Sequence, residues 1–356
     1  MNNAKVTVWL STYNQEPYVA EALDSILMQK TKFPFEIVAA DDCSTDQTRK
    51  IILNYQSRYP NQIVTFFPQK NLGGCRKLTA CIDAGLFRGE YLSYLEGDDY
   101  WLDENRLQTL VEFLEAYPEY SRVAHRRKVI DEKGRNKGFD IPEEVLNKPF
   151  TIEDFLIGKN YSDFGSVFRN YYKQCGNKYH ELFWASRNVL DFQDMFITQD
   201  FGLVFVMDAV YGVYRSISTA GAQNYNSITP FAERRRDSIQ IAQAVERFYN
   251  GKYDLSPLIR KDQYRLLSMA VETKDVEELS CLREEISLHQ RKELLAEVIY
   301  IAQRGKREDE LAFLRAQMQP EEKQGMKVLL AAYTAKRIKN KLTGNRPNER
   351  LRGYVR

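Results

Sequence analysis

Apolar runs separated by polar turns set the rhythm of the first half of the chain. Lys5-Val-Thr-Val-Trp-Leu10 alternates and is rich in β-formers, which predicts a first strand. A polar turn without glycine follows, Ser11-Thr-Tyr-Asn-Gln-Glu-Pro17. It leads into a helix from about Tyr18 to Gln29, with Val19, Leu23, Ile26 and Leu27 on one face. Phe35-Glu-Ile-Val-Ala-Ala40 is apolar enough for a strand buried on both faces, and a helix runs from about Gln47 to Arg58. Ile63 to Phe67 is a third strand, Asn71-Leu-Gly-Gly74 a turn, and Lys77 to Leu86 a helix. A fourth strand, Tyr91 to Leu95, stops in Glu96-Gly-Asp-Asp99. Alternating β and α units of this length predict an α/β fold with a doubly wound, mostly parallel sheet.

The pattern changes near Thr229. Ile239, Ala242, Val245 and Phe248 follow helical spacing, and amphipathic stretches continue at 261–271, 276–288, 292–303 and 308–317. Two regions are expected: residues 1–225 as an α/β catalytic domain and 226–356 as a helical C-terminal region with a basic tail. In that tail Val328, Leu329, Leu330 and Ile338 stand beside Lys336, Arg337, Lys339 and Lys341, and Glu349 is the only acid after Lys327. A cationic amphipathic end of this kind can lie on anionic lipid; a solvated tail is the alternative.

Composition narrows the classes. With 356 residues, 43% hydrophobic and 28% charged, the chain has the make-up of an ordinary globular protein. A net charge of +2 argues against a dedicated nucleic-acid binder. The 5 cysteines show no metal-ligand spacing, and with no leader ahead of the first strand they are expected to be reduced thiols in the cytoplasm. No apolar run approaches the ~20 residues of a membrane span, so any membrane contact is expected to be peripheral.

In a parallel sheet the polar clusters Thr12-Tyr13-Asn14, Asp41-Asp42 and Asp98-Asp99 all fall at one edge, where α/β sheets bind ligands. Adjacent aspartates there suit Mg²⁺ or Mn²⁺, which bridge carboxylates to phosphates. The competing reading makes Asp98 an N-cap for the helix after Trp101, and Asp42 and Ser44 turn residues. No G-x-G-x-x-G or Walker string is present in this half.

Val8-Trp-Leu-Ser-Thr-Tyr-Asn14, Glu36-Ile-Val-Ala-Ala-Asp-Asp-Cys-Ser-Thr-Asp-Gln-Thr48 and Leu95-Glu-Gly-Asp-Asp-Tyr-Trp101 resemble, in order, the three signatures of family 2 glycosyltransferases of the GT-A fold, bacterial surface-polysaccharide type. The likeness covers roughly residues 4–220. It implies nucleotide-sugar contacts at Thr12, Tyr13, Asn14, Glu16, Asp41, Arg76 and Asp98, with Tyr13 packing on the base and Asp41 accepting a hydrogen bond from it. It implies a Mn²⁺ or Mg²⁺ ligand at Asp99, with Glu96 in place of the commoner first aspartate. In Val189-Leu-Asp191-Phe-Gln-Asp194 the general base falls on Asp191, with Asp194 one helical turn on as the competitor. Val210-Tyr-Gly-Val-Tyr-Arg215 matches the closing Tyr-Arg, but Ile217 replaces a histidine frequent in relatives, leaving Arg215 and Asn224 as substitutes. His125 is expected to be structural.

The expected activity is inverting, metal-dependent transfer from a nucleotide-sugar, a UDP-sugar by preference, to a hydroxyl of a glycan or lipid-linked acceptor in surface polysaccharide synthesis. The alternatives are a nucleotidyltransferase, for which Ser11 to Pro17 lacks basic residues to cradle a triphosphate, and a non-catalytic nucleotide-sensing or receiver-type module, which would be much shorter.

Overall fold

The computed structural model describes residues 4–161, 163–217 and 229–342. Asn224 and the arginines of the tail from 346 onward lie outside the described residues. The chain divides into two compact units, Met1–Pro230 and Phe231–Arg356.

The first unit is built on one mixed sheet. Its strands are β1 (Val6–Thr12), β2 (Phe35–Asp41), β3 (Ile63–Phe66), β4 (Tyr91–Glu96), β5 (Tyr100–Trp101), β6 (Tyr120–Ile130), β7 (Asn136–Phe139), β8 (Lys148–Phe150), β9 (Ser166–Arg169) and β10 (Leu203–Arg215). They run in the order β3-β2-β1-β4-β9-β6-β10-β5, with β7 on β6 and β8 on β10. The pairs β1–β2, β2–β3, β1–β4 and β6–β10 are parallel, while β9 enters antiparallel between β4 and β6. Both faces of β2 are buried, as its unbroken apolar run requires. Val6, Val8 and Leu10 of β1 pack in the core with Leu23 and Ile26, whereas Trp9 turns to the other face against Tyr94, ring centroids 5.0 Å apart.

The helices of this unit are α1 (Val19–Leu27), α2 (Thr48–Arg58), α3 (Gly74–Asp83), α4 (Arg106–Ala116), α5 (Ile152–Leu156), α6 (Tyr172–Cys175), α7 (His180–Phe183) and α8 (Asp191–Gln199). Helix α3 begins at Gly74 rather than Lys77. The Asp42 carboxylate accepts the Leu72 and Gly73 N–H groups at 2.7 and 2.8 Å and so folds the preceding turn tightly against the helix start. Asp42 is thus a turn residue. Asp98 is not a helix cap: Asp99 N–H closes a turn on Glu96 O at 3.0 Å, Trp101 pairs with Gly212 of β10, and α4 starts only at Arg106.

The second unit is helical: α9 (Phe231–Phe248), α10 (Ser256–Glu272), α11 (Val276–Glu285), α12 (Leu288–Arg304), α13 (Glu308–Gln317), α14 (Pro320–Lys323) and α15 (Met326–Leu342). Leu266, Leu282, Leu295, Ile299 and Leu314 centre its own core. The stretch 276–288 breaks at Ser287, whose hydroxyl caps α12 by accepting from Gln290 N–H. Among the described residues no helix is long and apolar enough to cross a membrane.

Candidate active site

Strand register brings the polar clusters together. Thr12 pairs with Asp41 across β1–β2, and Ser11 pairs with Glu96 across β1–β4, so three strands release their acidic or hydroxyl ends side by side. Gly97 is the pivot of the last turn: a Cβ there would lie 2.5 Å from Gln15 Oε1 and 2.7 Å from Thr12 Cγ2. That close approach lets Gln15 Nε2 donate to Asp98 Oδ1 at 3.0 Å.

The three carboxylates of this turn differ in environment. Asp99 is 1% exposed and fully engaged, its Oδ2 receiving Arg127 Nη1 at 2.8 Å and its Oδ1 receiving the Arg215 N–H at 2.9 Å. Burial nonetheless holds its pKa up to about 8, against the pull of Arg127. Burial raises Asp98 to about 6, opposed by Arg215 and Arg127. Glu96 is raised well above the usual carboxylate range, by burial first and then by the charges of Asp98, Asp99 and Asp191. Crowded acids in a dry pocket are an electrostatic invitation to a cation.

The residues fit an ion only in a particular way. Among the described residues no group of three His, Cys, Asp or Glu side chains is placed to hold a metal alone. Asp99, expected as the ligand, spends both oxygens on Arg127 and Arg215, whereas among the described residues Asp98 receives one side-chain hydrogen bond, at Oδ1, and the Glu96 carboxylate none. This suits an Mg²⁺- or Mn²⁺-type ion that takes one or two carboxylates and draws its remaining ligands from phosphates and water.

Asp191 opens α8. Burial raises its pKa, Arg127 and Arg122 lower it and Asp194 raises it, so it stands within electrostatic reach of the cluster around Glu96. Asp194, the competitor for base, has both oxygens engaged by the protein. It is 1% exposed, its Oδ2 is ion-paired to Arg122 and its Oδ1 accepts from Tyr171 Oη.

The remaining expected contacts divide into open and occupied. Tyr13 is half-buried, with no ring partner among the described residues. Thr12 Oγ1 donates to Asp41 Oδ1 at 3.2 Å. Asp41 is wholly buried and also accepts from Ser44 N–H (3.0 Å), Ser44 Oγ and Arg49 Nε (3.2 Å), so its acceptors are taken by the protein rather than left for a base. Asn14, at φ 51°, and Glu16 stitch the first loop to the second: Asn14 Oδ1 accepts Thr45 N–H at 2.8 Å and Glu16 Oε2 accepts Gln47 N–H at 3.1 Å. Arg76 is exposed and stacks on Trp184 at 4.9 Å. His125 is buried and structural, accepting from Arg106 Nε at 2.8 Å.

Residues 7–175 match the sequence profile described as Glycosyl transferase family 2. The chain carries a family 2 glycosyltransferase domain. Its fold is GT-A, as in the Staphylococcus aureus TarS fragment 1–349 solved in complex with UDP-GlcNAc: TM-score 0.56, 18% identity, covering 93% of this chain and 92% of that one. By sequence, an uncharacterised protein of Mycobacterium tuberculosis is 38% identical over 156 residues, 44% of each chain. An uncharacterised glycosyltransferase of Nostoc is 35% identical over 136 residues, 38% of this chain and 40% of the relative. The S. aureus poly(ribitol-phosphate) beta-N-acetylglucosaminyltransferase TarS is 32% identical over 145 residues, 40% of this chain and 23% of TarS. The matches thus span less than half of each relative's length.

Three residues of the glycosyltransferase domain escape sequence reasoning. Arg127 sits among Glu96, Asp98, Asp99 and Asp191, yet in the sequence it is one of several basic residues on a strand. Gln15 is an unremarked loop residue until Gly97 lets it reach Asp98. Lys77 is buried, its ammonium donating to Thr12 O at 3.1 Å near Asp41, Asp42 and Glu96, with burial lowering its pKa. A lysine in a strongly apolar helix face is the one signal that could have marked it.

Proposed function

We propose that this protein is an inverting, metal-dependent glycosyltransferase that moves a sugar from a nucleotide-sugar, a UDP-sugar by preference, to a hydroxyl of a glycan or lipid-linked acceptor in surface polysaccharide synthesis. The observation carrying this reading is the placement of Asp191, a half-buried carboxylate with raised pKa, within reach of the acidic strand ends. Tyr13 offers its ring to the base. Asp98 would hold an Mg²⁺ or Mn²⁺ ion together with the diphosphate; such an ion, when bound, supplies Lewis-acid stabilisation of the leaving phosphate oxygens. Arg127 keeps Asp99 neutralised and adds positive charge beside the diphosphate position. Asp191 accepts the proton of the acceptor hydroxyl as that oxygen attacks, and a raised pKa strengthens it for this task. One displacement with a single base inverts the anomeric centre.

The test is a panel of sugar nucleotides assayed for slow hydrolysis with and without Mn²⁺. One donor turned over with Mn²⁺ and spared by EDTA is expected. Asp191→Asn should lower that rate by roughly 10²–10⁴-fold while donor affinity holds. Cleavage between the α and β phosphates would instead favour a nucleotidyltransferase.

The acceptor reading carries a location, the cytoplasmic face of an anionic membrane. Helix α15 leaves Lys327, Val328, Lys336, Ile338 and Lys339 exposed. Leu329 and Leu330, expected on the lipid side, instead pack on the helical core, and Arg337 turns to Tyr333 at 3.2 Å. The contact proposed is therefore chiefly electrostatic, with Val328 and Ile338 as its only large apolar side chains among the described residues.

A further inference from the structure

The mechanism leaves unused a group of charges buried beside it. Arg122 of β6 is wholly buried, with Nη1 2.6 Å from Asp163 Oδ1 and 3.1 Å from Ser166 Oγ. Its Nη2 pairs with Asp194 Oδ2 and lies 3.4 Å from Tyr171 Oη, which itself donates to Asp194 Oδ1. The guanidinium plane covers the Phe168 ring at 4.2 Å. One arginine thus gathers a turn at 163–165, β9 and the first turn of α8. The far end of α8 is fixed from the neighbouring residue of the same strand, Ser121 Oγ donating to Thr198 O at 3.1 Å.

Such a cluster is a poor way to gain stability. Desolvating an arginine and two carboxylates costs about as much as their pairing returns, and apolar residues of equal volume would hold the fold as well. A forked guanidinium between two carboxylates supplies instead a single orientation. The element so oriented is the helical turn that begins with Asp191, because residues three apart on a helix share a face.

We propose that Arg122, clamped between Asp163 and Asp194, is the positioning residue for Asp191, pinning the start of α8 to the central strand so that the base meets the acceptor hydroxyl. The proposal rests on the glycosyltransferase reading of the site. Arg122 and Asp194 touch no substrate; they act through Asp191. The charged groups facing Asp191 are Asp194 on its own helix, Arg122 and Arg127 on β6, Asp163 in the 163–165 turn and Glu96 at the end of β4. Asp194 favours the protonated form of Asp191, whereas Arg122 favours the carboxylate.

The experiment compares wild type with Asp194→Asn, Arg122→Lys, Tyr171→Phe and Asp191→Asn in the full chain. It reads kcat and KM for the donor found by the panel, calorimetric affinity for UDP with Mn²⁺, melting temperature, and the pH dependence of kcat. Asp194→Asn is expected to lower kcat by about 10- to 100-fold, the scale of a misplaced reacting group. Its UDP affinity stays within about twofold, and the acid limb of its profile moves to lower pH because a negative neighbour is gone. Arg122→Lys keeps the charge and loses the fork, so kcat falls with the limb unmoved; Tyr171→Phe, which removes one hydrogen bond to Asp194, gives a smaller loss.

Folded Asp194→Asn with wild-type kcat overturns the proposal. So does a parallel loss of UDP affinity and kcat, which would mark a purely structural cluster. Loss of the acid limb in Asp194→Asn but not in Asp191→Asn would make Asp194 the base. If wild type turns over no donor, or Asp191→Asn is fully active, it is the glycosyltransferase reading that fails. Tyr171→Phe keeps the test open should Asp194→Asn or Arg122→Lys not fold.

Discussion

Arg127 Nη1 stands 2.8 Å from Asp99 Oδ2 while Nε of the same guanidinium stands 2.8 Å from Asp140 Oδ2. The second aspartate of the acidic turn is therefore an internal partner of the sheet, whereas Asp98 beside it receives a single side-chain hydrogen bond among the described residues, from Gln15.

Arg127→Met would strand Asp99 and Asp140 in a dry site. Breaking a buried pair costs about 3–5 kcal/mol, to be measured by urea denaturation. The sign with pH follows from Asp99, which titrates at about 8 when folded and about 4 when unfolded. The folded state holds the extra proton over that window, so stability falls as pH rises from about 4 to about 8. Removing Arg127 raises the folded value further, so the deficit should be larger at pH 8 than at pH 5. Equal deficits would show that the pair contributes packing alone.

Asp98→Asn should remove the Mn²⁺-dependent part of UDP affinity and leave the metal-independent part, as read by calorimetry with Mn²⁺ and with EDTA. Asp99→Asn should lose stability first, because its oxygens serve Arg127 and Arg215. A variant at Asp98 that binds UDP with undiminished Mn²⁺ dependence would return the ligand role to Asp99.

Gly97→Ala tests the pivot of the acidic turn. The added methyl meets Gln15 and Thr12 at 2.5 and 2.7 Å, so Gln15 must release Asp98. A cost of about 1–3 kcal/mol in stability, typical of overpacking, is expected together with a raised KM for the donor. An unchanged KM would mean that Gln15 does not orient Asp98 for binding.

Membrane contact is checked by flotation with anionic and neutral vesicles at low and high salt, using the full chain and one ending at Gln324. Each basic residue near an anionic surface contributes about 1 kcal/mol, screened over a Debye length of about 10 Å in moderate salt. The full chain should float with anionic vesicles at low salt only, and the truncation should not. Because Leu329 and Leu330 are turned inward, Val328→Ser should change flotation little; a large loss would point to an apolar anchor.

The sequence by itself determined the order of strands and helices through Glu96 and the helical nature of the second unit, because hydrophobic period and turn residues act locally. It also determined which strand ends carry polar or acidic clusters, since β1, β2 and β4 stop where their apolar runs stop. Which of those acids remains open was decided only in three dimensions. Asp41 is consumed by Ser44 and Arg49, Asn14 and Glu16 by the adjoining loop, Asp99 by Arg127, and Asp194 by Arg122. Each of these partners arrives from another part of the chain through sheet register or helix packing, so no local pattern announces it. A carboxylate's chemistry depends on what desolvates and pairs it, and both are properties of the packed interior.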